Sequence, residues 1–271
     1  MPDGAAQLLA ALRNPDGGFP PSAGGASEPE PTALAAIALD DADARQWLMD
    51  HQRSDGGFVV GPDKVLNDSP TPLAALALAP GAGRERALDY VVAHQAPALG
   101  ADDRIPHDPN TRGWGWTSMT FGWVEPSARA LLVLKLLRPK AEQIADGNAV
   151  MSDRECHGGG WNYGNKQVFG TLYEPFLQTT AAGLLSVQDR TDGIRERAIA
   201  VIGRLWRAEP GGLGLGQASA ALHAVDRADA DLDAQLTALV TGTKLFGDVV
   251  ALAWTVIALG DAIDLLRIRP A

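Results

Sequence analysis

Cysteine is nearly absent: Cys156 is the one thiol in 271 residues. No internal disulfide can form, and the chain fits a reducing compartment. Charge is sparse at 21% of residues and lopsided, with 33 acidic against 23 basic side chains and a net charge of −10. No basic stripe interrupts that acidity, which repels phosphate backbones, so nucleic acid is not expected as a partner. Long apolar runs are missing too. The longest, from Val249 to Leu259 with Thr255 inside it, is too short to span a bilayer. The N-terminus lacks the charged segment and apolar stretch of a signal peptide. A soluble cytoplasmic protein is expected, with peripheral contact to a membrane surface left open. Phosphate-binding glycine loops, Gly-x-Ser-x-Gly elbows and nucleophile–base arrangements are absent, and no cofactor is expected. Aromatics make up only 6% of the chain.

What is abundant is Ala, with 45 residues, and the two punctuating residues, 30 Gly and 18 Pro. Ala favours helix and lets backbones approach closely, so the Gly and Pro must separate many short helices. The punctuation repeats. Pro15-Asp16-Gly17-Gly18-Phe19 is followed by a loop and by Glu30-Pro31, which opens Thr32 to Leu39. Asp55-Gly56-Gly57-Phe58 leads to Pro70-Thr71, and Trp114-Gly115-Trp116 leads to Glu125-Pro126-Ser127. Gly159-Gly160-Trp161 leads to Gln178-Thr179-Thr180, and two weaker units end the chain.

Each recurring residue has a mechanical role. Glycine after a helix adopts the left-handed conformation that side chains resist. The aromatic after it plugs the space beside the cap, and Trp116 and Trp161 are read as such plugs. Proline suits the first helical turn, where its missing N–H had no partner. The second segment of each unit is nearly free of charge, Arg129 and Lys135 in the third unit excepted, whereas the first segments carry charge, as in Arg84-Glu85-Arg86. Helices apolar all round are buried all round. The pattern predicts an all-α fold, one domain over 1–271, with an inner and an outer ring of helices. Its six helix pairs fall at about 5–39, 45–79, 84–137, 141–187, 193–226 and 231–266. No alternating β-segment is evident, and an open solenoid would show a polar face in every repeat.

These repeats resemble those of the terpenoid cyclase and protein prenyltransferase superfamily, whose signature is Gln-x-x-x-Gly-x-Trp. Gln52 to Phe58 matches with Phe for Trp, Glu155 to Trp161 matches with Glu for Gln, and Arg13 to Phe19 matches after its first position. The resemblance implies an α6/α6 toroid with a central apolar cavity for an isoprenoid or another long apolar molecule, and an isomerase of the squalene cyclase type. Family members with one such toroid work with a second domain or subunit, which implies a partner subunit or a homodimer.

The same resemblance implies a carboxylic acid at the start of an inner helix, which here falls on Glu30 with Glu28 upstream. Glu125 repeats the local pattern, and a Glu beside the first helical proline also serves as ordinary capping chemistry. An acid of this kind is held neutral by burial. Trp114, Phe121, Trp123, Tyr163 and Tyr173, clustered in the third and fourth units, are candidates to shape the cavity with Gln178. Asp153, Cys156 and His157 lie close in sequence with His223 downstream, but adjacent Cys and His seldom ligate one metal, and no metal site is expected. Two other readings stand beside the cyclase: a non-catalytic toroid that binds a ligand or partner through its long insertions, and a carbohydrate-active ring with paired acids.

Overall fold

The computed structural model describes residues 2–60, 67–100, 107–117 and 120–269, so part of the third unit's insertion lies outside the described residues. The described chain is all-helical apart from one hairpin. In order come α1 (Pro2–Ala10), α2 (Pro29–Leu39), α3 (Ala42–His51), α4 (Thr71–Ala77), α5 (Ala82–Ala93) and α6 (Val124–Leu137). There follow α7 (Gln143–Asp153), α8 (Leu177–Ser186), α9 (Ile194–Leu205), α10 (Gly212–Ala224), α11 (Ala230–Thr243) and α12 (Val249–Leu259). None of them is long and apolar enough to cross a membrane.

Burial divides the helices into two sets, as the charge pattern requires. Every residue of α4 is buried, as are Ala251 to Ala258 of α12. The odd-numbered helices bury only a stripe. In α9 it consists of Ile194, Ala198, Val201 and Ile202, and in α11 of Leu232, Leu236 and Val240, the spacing of one helical face. The even-numbered helices pack on one another in sequence order: α2 on α4, α4 on α6, α6 on α8, α8 on α10, α10 on α12, and α12 back on α2. Each outer helix packs most extensively on the inner helix before it in the chain, α3 on α2 through to α11 on α10. Helix α1 packs on α12. The sequence units pair each outer helix with the inner helix after it; the packing pairs are shifted by one element, because the connections from inner to outer helices are the short ones.

One hydrogen-bonding device starts four inner helices. The hydroxyl of Thr32 accepts from the Phe19 N–H at 2.9 Å and donates to the Phe19 carbonyl at 3.3 Å. Thr71 does the same for Phe58 (3.0 and 3.2 Å), Ser127 for Trp114 (2.9 and 3.2 Å) and Thr180 for Trp161 (3.1 and 3.2 Å). Each staple satisfies buried backbone groups that a loop would otherwise strand. Trp114, not Trp116, is therefore the third plug: it is 5% exposed and its Nε1 donates to the Val91 carbonyl at 2.7 Å.

The first signature position is a tie to the following outer helix, which explains its variation. Gln52 donates to the Gly83 carbonyl at 2.8 Å and accepts from Arg86 at 2.5 Å. Where Glu155 replaces Gln, it takes a bidentate bond from Arg197 (2.7 and 2.8 Å). Where Arg13 replaces Gln, it pairs with Asp41 and Asp43. Gly56, at φ +94°, lets the loop lie against the Arg86 carbonyl, which an added Cβ would meet at 2.2 Å.

One hairpin departs from the all-helical expectation. Strands β1 (Gln167–Val168) and β2 (Thr171–Leu172) pair antiparallel in the fourth unit's insertion. Phe169 and Gly170 form its turn with φ of 49° and 81°, the two positive values of a type I′ turn. Strands of two residues show no alternation for a sequence reading to detect.

Candidate functional site

Arg129 of α6 meets Glu30 of α2, so the starts of these two inner helices lie together. At the helix starts Glu30, Ser69, Glu125 and Gln178 each stand two residues before a stapling hydroxyl. One helical turn further in, on the same face, stand Leu34, Leu73, Arg129 and Ala182. Their counterparts in α10 and α12, as sixth helical residues, are Gln217 and Trp254. Leu73, Arg129, Ala182, Gln217 and Trp254, with Ala128, Leu132 and Leu185, enclose a cavity of about 20 Å³ between the inner helices. A site for a drug-sized ligand occupies roughly 300 Å³ or more. The space among these residues is far smaller, because Arg129, Gln217 and Trp254 occupy it.

Arg129 organises the entrance. Its Nη2 donates to Glu30 Oε1 at 2.8 Å and to Glu125 Oε1 at 2.6 Å. The Glu125 bond spans one helical turn of α6; the Glu30 bond reaches α2, 99 residues away in sequence. Burial opposes the charge on the guanidinium, and the Glu30 and Glu125 carboxylates more than offset it, so Arg129 is held above its ordinary range. An acid that starts cyclisation needs a carboxyl free in an apolar site, whereas Glu30 and Glu125 each accept a hydrogen bond from a guanidinium. A glycosidase pair needs the sugar between its two carboxylates, where the Arg129 nitrogen stands. Glu28 does not join them. It is the residue before α2, where its N–H donates to the Phe19 carbonyl at 2.9 Å, and its side chain makes no capping bond.

The aromatic candidates separate into three environments. Trp114 is a core plug, 5% exposed. Phe121 and Trp123 are half-buried, with ring centroids 4.5 Å apart, and Trp123 precedes α6 with its N–H on the Trp114 carbonyl at 2.9 Å. Tyr163 and Tyr173 are 53% and 46% exposed on the fourth insertion, where Phe169, Leu172 and Phe176 are exposed by 104%, 57% and 45%. Tyr163 and Phe176 touch, at a centroid distance of 5.2 Å. Gln178 is half-buried at the start of α8.

The remaining chemistry-bearing residues have structural partners. Asp153 accepts from Arg154 at 2.9 Å and from the Asp108 N–H at 3.2 Å, which ties the third unit's insertion to the end of α7. Burial pushes the Cys156 thiol up, and His223 Nε2 lies 2.9 Å from Asp233 on α11. Lys135, the second charge on an inner helix, is satisfied by Asn148, the Ser186 carbonyl and Asp189 at 2.6–3.0 Å. The residues that sequence reading passed over are Arg129, Gln217 and Trp254. The signal for Arg129 was present, since a lone charge in an otherwise apolar helix needs a buried partner.

No protein-family model matches this chain, and no curated protein matches it. Solved structures do. A protein from Actinoplanes superimposes with a TM-score of 0.57 at 15% identity, over 98% of each chain. A mutant of Salmonella alpha-2-macroglobulin gives 0.55 at 12% identity, and the same protein reacted with methylamine gives 0.54 at 12%. Those two matches cover 94% of this chain and 17% of the macroglobulin chain. Likenesses at this identity establish a shared fold.

Proposed function

We propose that this chain is an α6/α6 toroid that acts as a non-catalytic binding module and presents its fourth insertion to a protein partner. The observation that carries this reading is the exposed set Tyr163, Phe169, Leu172, Tyr173 and Phe176 on a single anchored hairpin and its flanks. Apolar side chains exposed together at this density mark an interaction site. Two features support it against the cyclase and carbohydrate readings: the pairing of Glu30 and Glu125 with Arg129, and the small volume between the inner helices. Phe121 and Trp123 beside Glu125 are the feature that favours an apolar ligand at the entrance.

The test uses purified chain as bait in lysate of its own source, alongside a Phe169→Ser/Tyr173→Ser variant. A stoichiometric protein retained by the unmodified chain and lost with the variant is expected. The same preparation given squalene and linear isoprenyl diphosphates, with and without Mg²⁺, should yield no cyclised product. A cyclised product that disappears in Glu30→Gln or Glu125→Gln would overturn the proposal in favour of the isoprenoid cyclase.

A further inference from the structure

Residues 169–174 are exposed without a break, whereas β1 on the other side of the hairpin is half-buried. Strand β2 is therefore an open edge. The hairpin's own bonds decide which of its backbone groups face outward. Val168 pairs with Thr171 around the turn, and the Tyr173 N–H donates to the Lys166 carbonyl at 3.0 Å. Between these two bonded pairs, Leu172 stands opposite Gln167. A residue in that alternate position directs its N–H and C=O away from the partner strand. Outward groups of this kind are matched by the backbone of another extended segment.

The edge is short and matches itself. It is bounded by the Phe169–Gly170 turn and by Pro175, which is buried and has no N–H, so Leu172 is its midpoint. An antiparallel copy related by a two-fold axis through Leu172 exchanges two hydrogen bonds between the two Leu172 residues. It also sets Thr171 of each chain opposite Tyr173 of the other, a β-branched residue against an aromatic, which is a favourable cross-strand pair. Glu174, the one charged side chain on the edge, falls opposite Gly170. The net charge of −10 on each chain therefore does not meet itself there. Other centres fail. An axis through Glu174 would oppose two carboxylates and draw Pro175 into the ladder. An axis through Thr171 or Tyr173 would need groups that the hairpin already uses. The area suffices as well. Phe169 offers roughly 200 Å² and Tyr163, Leu172, Tyr173 and Phe176 roughly 100 Å² each. Two such faces in contact remove about 1,200 Å² from water, the size at which stable protein interfaces begin.

We propose that this chain forms a two-fold dimer through β2, with the two hairpins joined into a four-stranded sheet at Leu172. The dimer presupposes the fourth insertion as a protein-binding face, and the partner it takes is a second copy of the chain.

Sedimentation equilibrium of the full chain at about 100 μM, above the micromolar affinity of the weaker interfaces of this class, should give twice the monomer mass. Leu172→Pro removes the outward N–H and none of the hairpin's own bonds. It should give the monomer mass with the helical circular dichroism unchanged. Leu172→Cys gives a reading that keeps the backbone intact. Across a bonded antiparallel pair the two Cα atoms lie about 5.5 Å apart, within disulfide reach, so mild oxidation should link two chains. In Thr171→Cys the two thiols stand two residues apart along the ladder, beyond the ~7 Å limit. The unmodified chain carries only the buried Cys156, and neither it nor Thr171→Cys should link. A monomer mass for the unmodified chain, a dimer that survives Leu172→Pro, or equal linking of Thr171→Cys and Leu172→Cys would overturn the dimer. Lysate capture judges the protein-binding reading separately: a foreign protein retained by a chain that sediments as a monomer sustains that reading and overturns the second copy.

Discussion

Replacing Thr32 by Val isolates the staple from everything else at the start of α2. The side chain keeps its branching and nearly its size, and the site is fully buried at both Thr32 and Phe19. The Phe19 carbonyl keeps its bond from the Glu28 N–H at 2.9 Å, so the loss falls on the Phe19 N–H alone. A buried donor without a partner costs about 1–3 kcal/mol. The methyl that replaces the hydroxyl gives back up to ~0.8 kcal/mol. The net destabilisation should be about 1–2 kcal/mol, which for a chain of this size lowers Tm by roughly 2–4 °C. Urea unfolding followed by circular dichroism measures it, with Thr241→Val as the reference. Thr241 is exposed and bonds only back to the Thr237 carbonyl of its own helix, so its change should stay within about 0.5 kcal/mol. Equal effects at the two positions would refute the staple as a stabilising device.

Two further perturbations probe packing and charge. Gly183→Ala places a Cβ 2.3 Å from the ring of Trp161. Overpacking of this kind should cost about 1–3 kcal/mol and alter the near-ultraviolet circular dichroism of that indole; an unchanged spectrum and Tm would contradict the contact. Asp68 accepts from the Tyr90 hydroxyl at 3.0 Å, and burial raises its carboxyl above the ordinary aspartate range despite that bond. The folded chain then keeps this proton to higher pH than the unfolded chain, so Asp68's contribution falls as pH rises through the interval just above about 4. Asp68→Asn retains an acceptor for Tyr90 and should raise the urea midpoint more at about pH 7 than at about pH 4. A midpoint equally displaced at both would show that Asp68 titrates normally.

The helices were legible because their punctuation is periodic, and Glu30, Glu125 and Gln178 stood out because they repeat at equivalent steps. Trp114 was misread because a glycine precedes both Trp114 and Trp116. The spacing to the staple separates them: Phe19 to Thr32, Phe58 to Thr71 and Trp114 to Ser127 are each 13 residues, a distance Trp116 does not meet. The same count, taken two residues past each hydroxyl, leads to Leu73, Arg129 and Ala182 in the cavity wall. Gln217 and Trp254 had no hydroxyl before them to count from. The role of Glu30 was beyond the sequence for a different reason. Its partner lies 99 residues away, and only the packing of the inner helices brings the two together. The hairpin's exposure was likewise hidden, since an aromatic cluster in sequence reads the same whether it fills a core or faces solvent.

A double-mutant cycle between Glu30 and Arg129 tests the inner ring most directly. Glu125 and Arg129 lie one turn apart on α6 and would couple in any arrangement of the helices, which makes Glu125→Gln with Arg129→Met the internal reference. Glu30 meets Arg129 only if α2 and α6 face each other across the interior, with α4 beside them. Urea unfolding of the single and double variants, Glu30→Gln with Arg129→Met, should give a coupling of about 0.5–3 kcal/mol, the range for residues in one hydrogen-bonded charge network. A coupling indistinguishable from zero at Glu30, with the Glu125 coupling intact, would contradict the closed inner ring and the entrance built on it.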